Sequence, residues 1–298
     1  MLHRMERKTA AEFPQELLNI FDQYVHGGID RRGFLERAAK FAVGGVTAGM
    51  LLDQLSPVFA MQQVKSDDPR VKGEYVSYPS LNGNEKTKGY LVKPANASGR
   101  LPGVLVVHEN RGLNPHIEDI ARRIAVDNYI AFAPDALAPL GGYPGDEDKA
   151  RELFTKLDQA KTREDFVAAA NWLKARPDCT RKIGAVGFCY GGGIVNMLAT
   201  RLPDLAAAVP FYGNQPSAED AARIKAPMLI HYAEHDDRIN AGWAAFEAAL
   251  KANHVSYQEF TYPGTQHGFN NDTTPRYDAD AAKLAWSRTM DFFARHLR

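Results

Sequence analysis

From Val71 onward the chain alternates short apolar runs of strand length with longer stretches whose apolar positions recur every three or four residues. That alternation predicts an α/β domain, a mostly parallel central sheet with helices on both faces. The runs predict strands at Glu74 to Tyr78, Gly89 to Val92, Gly103 to Val107, Tyr129 to Ala133, Ile183 to Phe188, Ala207 to Phe211, Met228 to Tyr232 and Tyr257 to Tyr262. The central runs are continuously apolar, as strands buried on both faces must be. Helical spacing predicts helices near Ile117 to Asp127, Asp148 to Leu157, Arg163 to Lys174, Gly192 to Arg201, Gly242 to Ala252 and Asp278 to His296. No interior stretch reads as a linker or a repeat, so residues 61–298 are expected to form a single domain.

The first 60 residues follow a different pattern. Asp30-Arg31-Arg32-Gly33-Phe34-Leu35 precedes a weakly apolar, small-residue segment from Ala42 to Leu52, which ends near Pro57-Val58-Phe59-Ala60. A basic pair, a moderately hydrophobic stretch and small residues at a cleavage point are the order of an export signal. The segment resembles a twin-arginine signal, which implies recognition by export machinery, a periplasmic location and a mature chain starting near Met61. The alternative is an amphipathic N-terminal helix with a chance arginine pair, in a cytoplasmic protein.

Composition narrows the partners. The 298 residues carry 36 basic and 36 acidic side chains, so counterion release offers little toward nucleic-acid binding. Two cysteines, Cys179 and Cys189, are too few for a disulfide framework, or for a cysteine-based zinc site without help from histidine. At least one is free for chemistry.

In open parallel sheets functional residues gather just after the carboxyl ends of strands. Ile183 to Phe188 runs directly into Gly187-Phe188-Cys189-Tyr190-Gly191-Gly192-Gly193, a Gly-x-Cys-x-Gly turn opening a helix. This is the nucleophile elbow with cysteine in place of serine. A side chain at Gly187 or Gly191 would collide with the neighbouring strand or helix, and the helix N-terminus behind Cys189 favours a thiolate. The Tyr190 amide is a candidate oxyanion donor. Cys179, in the turn Pro177-Asp178-Cys179-Thr180, lacks this setting and reads as structural.

The chain order nucleophile, acid, histidine continues downstream. Asp236, in Glu234-His235-Asp236-Asp237-Arg238-Ile239 after the seventh run, is the preferred acid, with Asp237 its competitor. His267, in Gly264-Thr265-Gln266-His267-Gly268-Phe269 after the eighth, can act as base to the thiol and be oriented by the acid. His231 and His235 are spaced like zinc ligands, but the spacing straddles a strand end, where the rings would not share a face. His108 reads as a packing residue. His108-Glu109-Asn110-Arg111 ends the third run, where this topology supplies a second oxyanion amide, assigned to Asn110. Glu109 would lie close enough to Cys189 to exchange a proton with it. An ion pair with Arg111 is the competing role for Glu109.

Taken together, His108-Glu109, Pro134-Asp135, Gly187-Phe188-Cys189-Tyr190-Gly191-Gly192, Asp236 with Ile239, and His267-Gly268-Phe269 resemble the dienelactone hydrolase (carboxymethylenebutenolidase) family, over about Val71 to the C-terminus. The resemblance implies the α/β-hydrolase fold and hydrolysis of a small-molecule ester or lactone. It implies a Cys189, His267, Asp236 triad with Glu109 as a fourth member that holds the thiol at rest, and no metal or organic cofactor. Family arginines that clamp a substrate carboxylate fall at Pro139 and Asn271 here; Arg111, Arg151 or Arg276 are the candidate substitutes, and Tyr143 and Tyr212 candidate pocket residues. Two other readings use the same residues: a catalytically silent binding protein on this fold, and a thioesterase or amidase.

Overall fold

Eight strands form one sheet in the order β1-β2-β4-β3-β5-β6-β7-β8. They span Val71–Val76, Gly89–Pro94, Leu101–Val107, Ile130–Pro134, Cys179–Phe188, Ala207–Phe211, Met228–His235 and Tyr257–Gln266, numbered β1 to β8. In this computed structural model, which describes residues 8–59 and 62–298, β2 runs antiparallel to both β1 and β4 while every other pair is parallel. All eight expected strands are present; their ends differ from the sequence reading by up to four residues, most at β5, which starts at Cys179, and β8, which ends at Gln266.

Helices α1 to α3 span Gln15–Val25, Arg31–Ala38 and Ala48–Leu55. Helices α4 to α7 span Pro115–Val126, Glu147–Phe154, Gln159–Ala175 and Tyr190–Arg201. Helices α8 to α11 span Ala218–Ala221, Asp237–Asn240, Trp243–Ala252 and Ala279–Leu297. The period-two alternation of β3 sorts the core into two layers. Leu105 and Val107 join Phe166 of α6, Leu198 of α7 and Phe246 of α10 on one face; Val104 and Val106 join Ile120 of α4 and Phe293 of α11 on the other. Burial on both faces is what makes the central strands continuous apolar runs.

Residues before the sheet, set aside as a signal in the sequence reading, fold into a helical unit with its own core. Leu17, Phe21, Phe34, Leu52 and Leu55 are buried against one another, apart from the two sheet layers. The cause is legible in α1, where Leu17, Phe21 and Tyr24 recur at helical spacing and make one face apolar. Asp30 caps α2 by accepting the Gly33 amide at 2.7 Å, and Arg31 and Arg32 stand exposed in its first turn. The cleavage-site residue Ala60 and the expected start Met61 lie outside the described residues.

The unit docks on the carboxyl-end side of the sheet through polar contacts. The Asn110 side chain and Arg111 both donate to the Val25 carbonyl, at 2.7 and 3.1 Å. Arg31 pairs with Asp148 at 2.9 Å, and the Gln15 and Gln266 side chains bond reciprocally.

Candidate active site

β5 ends in a sharp turn that presents Cys189 at the start of α7. Its backbone stands at φ 55° and ψ −114°, a conformation rare for a residue with a side chain. The turn closes only because its flanks are glycine. A Cβ at Gly187 would sit 2.2 Å from the Gly191 carbonyl, and one at Gly191 would sit 2.2 Å from that of Val107. The Cys189 amide donates to the Phe211 carbonyl at 3.0 Å, fixing the turn against β6.

His267, on the turn after β8, donates from Nδ1 to Asp236 Oδ2 at 2.5 Å, and both residues are buried. This bond sets the tautomer and leaves Nε2 as the free nitrogen. That nitrogen is buried without a hydrogen-bond partner, and the Cys189 sulfur lies within 4.8 Å of His267's ligating nitrogen. The structure therefore brings Cys189, His267 and Asp236 together in the order of the strand ends. Asp237 is exposed at the start of α9, away from the imidazole.

A third residue reaches the sulfur. His26, just beyond α1, places Nε2 3.2 Å from Cys189 Sγ, and its ring meets that of His267 edge-on at 4.7 Å between centroids. Its Nδ1 faces Asp22, 3.2 Å from Oδ1 and 2.8 Å from the backbone carbonyl, and Arg276 donates to the same Asp22 oxygen at 3.3 Å. Two carboxylate–imidazole pairs thus converge on one thiol. Sequence reasoning missed His26 because it lies in the segment set aside as a signal. The apolar period of α1 was the available clue that this segment folds.

The electrostatics follow from that convergence. Burial alone would push the Cys189 thiol up, but the adjacent His26 and His267 outweigh it and hold the thiol well below its ordinary range. Burial likewise opposes charge on His267, and is outweighed by Asp236 and the Cys189 thiolate, which raise it. His26 is raised too, by Cys189 and Asp22 against the same burial. Cys179, at the opposite end of β5, is raised by burial and accepts the Arg181 amide.

Glu109 lines the small cavity at Cys189 and accepts from Asn271 at 3.0 Å. The sulfur's resting partner is His26, where the family resemblance had assigned that role to Glu109. Arg111 turns to Glu147 at 3.6 Å, and both Arg111 and Arg276 line the cavity. Arg151 stacks over Tyr24 instead. Tyr212 is fully buried at φ 37°, its ring centroid 4.9 Å from that of His267. Tyr143 hydrogen-bonds Glu147 at 2.8 Å and stands behind the cavity wall. His108 is buried, its Nε2 accepting the Ala136 amide at 3.0 Å. His231 is held by Tyr262 and Thr289 in the interior, whereas His235 is exposed.

Two cavities flank His26. The one containing Cys189 and Glu109 holds about 50 Å³; the other, about 480 Å³, is an open cleft bordered by Asp22, His26, Asp236, Arg238 and His267. His26, His267 and Arg276 line both.

Comparison with known proteins places the chain. The sequence profile described as the dienelactone hydrolase family matches residues 87–297, and a separate profile described as YqhI-like matches residues 5–40. A protein named "Putative carboxymethylenebutenolidase" from Escherichia coli is 30% identical over 248 residues, 78% of this chain and 90% of the relative. A crystal structure titled "Putative Dienelactone Hydrolase" from Klebsiella pneumoniae superposes with a TM-score of 0.68 at 31% identity, covering 76% of this chain and 99% of that one. The dienelactone hydrolase-like promiscuous phosphotriesterase P91, from metagenomic libraries, superposes with a TM-score of 0.67 at 25% identity, covering 77% and 100%. With the strand order and the turn at Cys189, these matches show that the chain has the α/β-hydrolase fold and belongs to the dienelactone hydrolase family.

Proposed function

We propose that this carboxylic ester hydrolase cleaves small esters or lactones through Cys189 as nucleophile and a covalent thioester. The observation that carries the reading is the convergence of a lowered thiol, a carboxylate-held imidazole and a helix N-terminus at one strained turn. The Cys189 thiolate attacks the carbonyl carbon, and the backbone amides of Tyr190 and Asn110 meet the developing oxyanion. Collapse expels the alkoxide or enolate, which takes the proton held on His267, and leaves the acyl group on sulfur. Water then attacks the thioester while His267 Nε2 takes its proton and Asp236 holds the imidazolium. Enol-type leaving groups suit this route, because they depart without strong acid help. Arg111 and Arg276 at the cavity wall are the groups available to a substrate carboxylate.

With His26 in place, the free space at the sulfur is about 50 Å³, less than two waters' share of liquid volume at about 30 Å³ each and too small for an ester. Turnover therefore requires the α1 unit to lift His26 off the sulfur, joining the small cavity to the cleft. Hydrolysis of p-nitrophenyl acetate at the wild-type rate by Cys189→Ala would refute the reading; relative kcat/KM on matched ester, thioester and amide substrates defines the bond cleaved. Export through the twin-arginine-like segment is a separate proposal, and the gating by His26 applies to the uncleaved chain. Arg31 and Arg32 are exposed, and cleavage near Met61 would remove His26 from the site. Periplasmic material retaining Met1 would argue against that cleavage.

A further inference from the structure

We propose that Cys189, His26 and His267 form a binding site for a thiophilic divalent cation, with Zn²⁺ the best match, and that the bound cation silences the nucleophile. The three ligand atoms lie within 4.8 Å of one another. One thiolate and two neutral imidazoles are a donor set zinc favours, and Zn–S near 2.3 Å with Zn–N near 2.0–2.1 Å places tetrahedral ligands about 3.3–3.6 Å apart. The His26 to sulfur distance, 3.2 Å, is already close to that spacing. A pair at the 4.8 Å limit has to close by about 1.2–1.5 Å to meet the same spacing.

The surroundings fit a cation more closely than three ligands alone would. Each imidazole turns Nδ1 to a carboxylate, Asp22 for His26 and Asp236 for His267, leaving Nε2 toward the sulfur. That carboxylate–histidine arrangement is how metal-binding imidazoles are oriented and made more basic. His267 Nε2 is buried with no hydrogen-bond partner, a ligand position awaiting an acceptor of its lone pair. A fourth position opens toward the small cavity that Glu109 also lines. Three guanidinium groups stand nearby. Arg111 faces Glu147 and Arg276 faces Asp22, while Arg238 lies 3.2 Å from His26 Nε2 and must swing away for the cation to enter. Its side chain is 41% exposed, so solvent can receive it.

The ligands come from both parts of the chain, two from the hydrolase domain and one from the α1 unit. Uptake bonds the sulfur as thiolate and both imidazoles as neutral bases, releasing the protons they carried. It locks His26 over the site and occupies the sulfur's lone pairs. Only the silencing rests on the hydrolase reading; the binding stands on the geometry.

The test is titration of the full-length, chelator-treated protein with Co²⁺, followed by displacement with Zn²⁺. One equivalent of Co²⁺ is expected to give a sulfur-to-cobalt charge-transfer band that Zn²⁺ abolishes. Cys189→Ser removes the band and Cys179→Ser keeps it. His26→Ala, with His26→Gln as a second variant to guard against misfolding, retains a sulfur band but binds at least about a hundredfold more weakly, and Asp22→Asn binds about 10- to 100-fold more weakly. No charge-transfer band in the wild type, or unchanged affinity in both His26 variants, overturns the site. Zn²⁺ that binds with this signature yet leaves ester hydrolysis intact overturns the silencing alone.

Discussion

His26 Nε2 and Cys189 Sγ, 163 residues apart in sequence, stand 3.2 Å apart. Asp22 backs His26 as Asp236 backs His267, so the thiol is held from two sides, once by the hydrolase domain and once by a helix that precedes the sheet.

Removing that second imidazole has two opposite effects. A charge-assisted hydrogen bond of this kind contributes about 1.5–3 kcal/mol, so His26→Ala lowers the cost of opening the site and raises kcat/KM for p-nitrophenyl acetate about 10- to 100-fold above neutral pH. The acid limb of the profile moves to higher pH, because one of the two groups that lower the thiol is gone. A profile superimposable on the wild type would show that the contact gates nothing.

The lowered thiol has its own signature. A group whose folded pKa is depressed keeps its charged form to lower pH, so Cys189 remains a thiolate below the ordinary thiol range of about 8.5. Iodoacetamide is expected to alkylate Cys189 rapidly near neutrality and to leave Cys179, raised by burial, unmodified in the folded protein. Equal labelling of the two cysteines, mapped by peptide mass, would contradict the electrostatic account.

Asp236→Asn keeps the shape of the pair but removes the charge that orients His267 and supports its imidazolium. The expected loss in kcat is about 10³- to 10⁴-fold, by the same tautomer argument that governs serine triads. Asp237→Asn, at an exposed position on α9, is expected to fall within about twofold of wild type, about 0.4 kcal/mol. The reverse ranking would reassign the acid.

The turn is also a point of structural vulnerability. Gly191→Ala drives a Cβ against the Val107 carbonyl, backbone that cannot step aside, and is expected to cost roughly 3 kcal/mol or more. Denaturant unfolding measures it. A loss below about 0.5 kcal/mol would mean that the β3 strand end yields more easily than its burial implies.

The sheet was readable because its strands are buried on both faces and its helices on one, which imprints periods that survive in sequence; β6, Ala207–Phe211, lies within the apolar run from Leu205 to Tyr212. The placement of Cys189, Asp236 and His267 followed from strand ends, since the topology carries every strand end of the parallel set to one side. His26 could not be read this way. Its role depends on docking between α1 and the rim formed by Asn110, Arg111 and Arg276, contacts made by long polar side chains that leave no period. The α1 face with Leu17, Phe21 and Tyr24 carried the information that the segment folds.

The nucleophile is tested most directly by acid-quenching the full-length protein within the first turnovers on p-nitrophenyl acetate and mapping the acylated peptide by mass spectrometry. The account predicts one acetyl group as a thioester on Cys189, absent in Cys189→Ala, whose hydrolysis falls about 10⁴-fold or more. An acetyl group on any other residue, or turnover that survives Cys189→Ala, would contradict it.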